Sequence, residues 1–158
     1  MAVESYVPLS SAANFRKRPI DSHGKLRCLY TKFVAAVQGD INSTFALGTL
    51  PPGAVRLLYP LSFIKCSAGG AGLLLDIGYS AYRYKQDEAA ANDGIEAGSA
   101  NGIVNDFSAV AAARTVLDAT SMKYDFFSLA GVNVIATAQG AVVPLNFTME
   151  CLLTYLYE

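Results

Sequence analysis

The stretch LNFTMECLLTYLY, residues 145–157, decides the fold. Leu145, Phe147, Met149, Cys151, Leu153, Tyr155 and Tyr157 fall on one side of an extended chain. Asn146, Thr148, Glu150 and Thr154 fall on the other, where Leu152 and Leu156 are the exceptions. A period of two places successive side chains on opposite faces, so this is a strand with one face buried.

The same period runs outward from it. Val132–Ala138 reads as the preceding strand, joined through a Gln139-Gly140 turn. Towards the N-terminus, Arg27–Gln38 is β-branched and aromatic, with Leu29, Phe33 and Val37 on one face and a Gln38-Gly39-Asp40 turn. Ser43–Leu50 follows and is closed by Pro51-Pro52-Gly53. Two successive prolines donate no ladder hydrogen bonds, so pairing stops there. Val55, Leu57, Tyr59, Leu61 and Phe63 then alternate, with Pro60 marking an edge or a bulge. After the Gly69-Gly70-Ala71-Gly72 turn, Leu73, Leu75, Ile77 and Tyr79 form another strand. Lys123–Phe127 is a further candidate.

The middle is less regular. Residues 86–102, QDEAAANDGIEAGSANG, read as a long acidic loop. Asp106–Arg114 suggests one or two helical turns, capped by Asn105 or Asp106, with Phe107, Val110 and Ala111 on one face. Seven or eight strands at this spacing predict an all-β fold. The expected architecture is an antiparallel jelly-roll sandwich with an extended N-terminal arm and a long, partly helical middle insertion spanning residues 83–127.

A chain of 158 residues fits one domain, and at that size it needs no disulfide or metal to hold together. Hydrophobic residues make up 53% and charged residues 16%, against about 25% charged in an average soluble domain. This excludes a disordered chain. It also predicts apolar surface buried against other molecules, most simply further copies of the chain. No apolar run reaches the roughly 18 residues of a membrane helix. The first residues, MAVESYVPLSSAANFRKRP, show no basic start followed by an apolar core, so no secretory signal is expected. Cys28, Cys66 and Cys151 lie apart in apolar segments and read as small buried hydrophobes in a reducing compartment.

Charge is uneven. Residues 1–32 hold six basic residues against Glu4 and Asp21, a net of +4, whereas the remainder carries a net of −5. Residues 1–26 also lack hydrophobic periodicity and read as an extended basic arm before a β domain at 27–158. Phe15, Arg16, Lys17, Arg18 and Lys25 are its candidate binding residues, suited to an acidic protein surface.

Catalytic chemistry is nearly absent from the pattern. The sole histidine, His23, lies in the polar arm, without the rigid support a triad needs. No Cys-x-x-Cys or His-x-x-x-His pair suggests a metal. Asp87, Glu88, Asp93 and Glu96 do not follow the alternating ligand pattern of a calcium loop. Asp76, an acid within an apolar strand, is expected to face solvent or bond a turn. The Gly69–Gly72 run leads into a strand, not into the helix N-terminus that a phosphate cradle requires. Tyr82-Arg83-Tyr84-Lys85 interleaves aromatics and cations, but beside an acidic loop it reads as a solvated strand end. No catalytic residue, cofactor or metal is expected.

One segment carries a resemblance. Leu47-Gly48-Thr49-Leu50-Pro51-Pro52-Gly53-Ala54, followed by Asp76-Ile77-Gly78 and an alternating last strand, resembles the jelly-roll cement or decoration proteins of tailed-bacteriophage capsids. The likeness covers about residues 41–157. It implies a non-enzymatic jelly roll, often a trimer, bound to the major capsid protein on the head exterior where shell subunits meet. It would be made in the host cytoplasm, with no membrane or sequence-specific nucleic-acid partner. The alternatives are another virion jelly roll (a small shell subunit, or a fibre or spike base) and a carbohydrate-binding module using Tyr79, Tyr82 and Tyr84.

Overall fold

The computed structural model describes residues 5–6, 25–84, 94–117 and 123–157. In chain order its strands are β1 (Ser5–Tyr6), β2 (Lys25–Val34), β3 (Thr44–Leu50), β4 (Gly53–Leu57), β5 (Phe63–Cys66), β6 (Leu74–Tyr79) and β7 (Tyr82–Arg83). They continue with β8 (Ile95–Glu96), β9 (Ser99–Ser108), β10 (Ala113–Val116), β11 (Asp125–Ser128), β12 (Val132–Gln139) and β13 (Thr148–Tyr157).

The order of pairing defines a jelly roll. One sheet runs β1-β3-β12-β6-β9. In the other, β13 pairs along its length with β2 and on its far edge with β4 and β5, which in turn pair with β11 and β10. β4–β5 therefore act as one interrupted strand, and β10–β11 as another. The last strand lies beside the first long one and the penultimate beside the second, the nesting produced by two Greek keys. β1 joins β3 in parallel, with Ser5 opposite Thr44 and Tyr6 opposite Phe45.

The alternation read in residues 145–157 is the reason β13 sits centrally. Met149, Cys151 and Leu153 point inward and are at most 1% exposed. They meet Phe33, Phe45, Phe147, Leu75 and Ile77 from both sheets. The Phe33 and Phe45 rings meet edge to face with centroids 5.6 Å apart, and Phe45 lies 6.2 Å from Phe147. Each such ring stabilises the fold by roughly 1.5–3 kcal/mol through burial alone.

Pro60 splits the alternating segment 55–63. Tyr59–Leu61 form a 3-10 turn between β4 and β5. The turn covers the gap in the ladder: Thr154 Oγ1 donates to the Leu61 carbonyl at 2.7 Å, and the Thr154 N–H donates to Ser62 Oγ at 2.9 Å.

The expected helix at 106–114 is not present. Among the described residues of 83–127 the regular structure is strand, and β9 to β11 occupy integral jelly-roll positions rather than an insertion. Asp106 has φ 55°, a left-handed conformation that an α-helix of L-residues does not continue. Its N–H instead donates to Asp76 Oδ1 at 2.8 Å, where the β6–β9 register shifts. Further along the same pair glycine permits a second close approach, since a Cβ on Gly78 would lie 1.8 Å from the Ser99 carbonyl oxygen. Ser99–Gly102, read as loop, likewise belong to β9.

Candidate functional site

The two outward sheet faces differ in chemistry. On β3, β12, β6 and β9 the outward positions carry Thr44, Asn133, Thr137 and Ser108 beside half-buried Ala46, Leu74 and Ile135, and Asp76 is buried beneath the Asp106 bulge. Thr49 Oγ1 donates to Asn133 Oδ1 at 2.7 Å, and Asn101 Nδ2 to Asn105 Oδ1 at 2.9 Å. Among the described residues, none of the exposed large hydrophobic side chains belongs to these four strands.

The outward face of the β2–β13 sheet is apolar and basic. Tyr30, Leu152, Phe63 and Val116 stand in direct register across four strands. Tyr30 is 44% and Val116 50% exposed. Leu26, Leu61 and Phe127 extend the exposed apolar surface on this side. The neighbouring row in register is Lys32, Glu150, Lys65 and Arg114. Lys32 Nζ lies 3.1 Å from Glu150 Oε1, and Lys65 Nζ lies 3.6 Å from Oε2. The hydrogen bond from Lys32, aided by Lys65, holds the Glu150 carboxyl below its ordinary range although partial burial opposes this. The Arg114 guanidinium caps the Phe63 ring at 4.2 Å. One carboxylate thus pairs with two lysines, in a row that also holds Arg114. Leu152 and Leu156, the exceptions to alternation in β13, belong to this face, with Leu156 beside Leu26 and Arg56.

A second cluster closes one end of the sandwich. Tyr79 packs edge to face on Tyr82 at 5.9 Å and on Phe126 at 5.2 Å. Lys123 Nζ stands 5.4, 5.3 and 5.6 Å from the Tyr79, Tyr82 and Phe126 ring centroids and 2.5 Å from Glu96 Oε1. Burial opposes the charge on Lys123, but Glu96 and Tyr82 more than offset it, so its pKa is raised. Tyr59 Oη donates to the Lys123 carbonyl at 2.6 Å. The cage is filled by the chain's own lysine. Tyr79 and Tyr82 are 8% and 7% exposed, so they do not form the open stacking platform a sugar needs, and Tyr84 stands apart and exposed.

Of the arm residues, Phe15, Arg16, Lys17 and Arg18 lie outside the described residues. Lys25 is the first residue of β2, opposite Tyr157. Cys66 and Cys151 are buried thiols as expected, whereas Cys28 is exposed. Among the described residues no group of three or more His, Cys, Asp or Glu side chains is placed to hold a metal. Among the described residues no helix is long and apolar enough to cross a membrane.

No protein-family model matches the chain. No curated protein matches it either. Its fold is shared with chains from two phage capsids. A chain from the capsid of Ralstonia phage GP4 superposes with a TM-score of 0.65 and 16% identity, covering 93% of this chain and 94% of that one. A chain from the cyanophage Pam1 capsid asymmetric unit gives a TM-score of 0.59 and 11% identity, covering 94% and 96%. The likeness runs end to end in both, so the jelly roll here is of the same size and outline.

Proposed function

We propose that the chain is a non-enzymatic structural protein of a phage virion. In this reading it oligomerises, as a trimer, and binds the major capsid protein on the head exterior where shell subunits meet, acting as a cement. The observation that carries the reading is the end-to-end fold match to two phage capsid chains. It is supported by a sheet face whose exposed apolar side chains would be costly to leave in water. The basic residues Arg16, Lys17, Arg18 and Lys25, with Phe15, add positive charge suited to an acidic surface of the shell.

A shell subunit would share the same fold, and the matched chains are themselves parts of capsids. The test is to purify the full chain and mix it with heads of the virus that encodes it, assembled in its absence. A cement sediments with finished heads and scatters light as a trimer when free. Closure of particles by this chain alone supports the shell reading instead. A free monomer that leaves heads unbound contradicts both.

A further inference from the structure

We infer that the outward face of the β2–β13 sheet is the docking face and that it takes an acidic, apolar-studded surface of the shell protein, leaving the β3–β12–β6–β9 face to solvent. The inference rests on the virion reading and adds the side and the chemistry of the contact. Tyr30, Leu152, Phe63 and Val116 form an unbroken apolar row across the sheet. The row beside it holds Lys32, Lys65 and Arg114 against Glu150 alone, a surplus of two positive charges that a partner's carboxylates would balance. Among the described residues, the four long strands of the opposite sheet carry no exposed large hydrophobic side chain, and Thr49 there is already bonded to Asn133, so that face has less to gain from a partner.

Size makes this face the centre of a contact rather than the whole of one. Strands about 4.8 Å apart and a run from Leu26 to Lys32 at about 3.3 Å per residue make a face of roughly 300 Å². A standard interface buries about 800 Å² per partner. Salt should weaken a contact built on these charges.

The test uses the full chain and heads assembled without it. Tyr30→Glu/Val116→Glu places acids in the apolar row, Lys65→Glu/Arg114→Glu reverses the basic row, and Asn101→Glu/Ser108→Glu changes the opposite sheet. The first two should bind heads at least about 30-fold more weakly, as loss of an interface anchor does. The third should stay within about 3-fold of the original, as a change outside the contact does. Melting temperatures report folding, and Arg114→Glu alone decides if a double variant does not fold. If the original chain binds heads and the face variants bind equally well, the docking face is wrong while the virion reading stands. If the face variants lose only self-association, the face joins copies of this chain and the inference is overturned. If the original chain binds no heads, the virion reading itself fails.

Discussion

The Asp76 carboxylate accepts the backbone N–H of Asp106, thirty positions along the chain, and so ties the left-handed bulge of β9 to the centre of β6. Asp76 is 8% exposed and the bond is part-buried, so water only partly replaces a lost acceptor. Asp76→Ala should cost about 1–3 kcal/mol of stability, the penalty for an unsatisfied group. Asp76→Asn, which keeps an acceptor oxygen, should cost less. Urea denaturation of both variants checks this, and equal losses would show that the bond does not matter.

Phe45 is fully buried between Phe33 and Phe147, where the two sheets meet. Phe45→Ala should destabilise the fold by about 3–5 kcal/mol, because the sheets cannot collapse fully into the cavity. Calorimetry should show a lowered melting temperature. An unchanged one would mean the core is not organised around this ring.

These two predictions divide along what the sequence shows. The inward residues of β13 were legible because a buried face leaves a period of two in the chain. Leu152 and Leu156 interrupted that period, and the interruption was itself the sign of an apolar outward face. The row Tyr30–Leu152–Phe63–Val116 was not legible, since its members come from four strands whose order depends on the topology. The expected helix at 106–114 failed for a related reason. A capping Asp and an i, i+3 apolar pair also suit a bulged strand, and the pairing of Phe107 with Leu75 settled the choice. Asp76 proved to be bonded to the β9 bulge rather than open to solvent, which only the β6–β9 register reveals.

Lys123 gives a pH signature at high pH. Its raised pKa means that the cage stabilises the fold below the ordinary lysine value of 10.5 and loses this contribution as pH rises through the raised value. Lys123→Met should lose up to about 2 kcal/mol at pH 8, on the scale of a desolvated cation–π contact. The gap between variant and original should close at strongly alkaline pH. A gap that stays constant would mean that the loss is one of packing, not of charge.

Glu150 gives the opposite signature. Its carboxyl is held below the usual value near 4.5, so its contribution is present above that pH and disappears as pH falls through the lowered value. The pairs are surface pairs, so Glu150→Gln should cost under about 1 kcal/mol at pH 7 and nothing at strongly acidic pH. Stability curves at the two pH values check the sign.

The thiols should separate by exposure. Burial pushes Cys151 up to about 12 and raises Cys66 as well, whereas Cys28 lies open on β2. A thiol reagent at pH 8 should label Cys28 in the folded protein and reach the other two only on unfolding, because the thiolate is the reactive form.

The most direct test of the account is an image of the virion at subnanometre resolution by electron cryomicroscopy. The account predicts this jelly roll on the outer surface of the head, in threefold groups at junctions between shell subunits, with the β2–β13 sheet against the shell. Heads that carry no such density, although the chain is present in the infected cell, would contradict it.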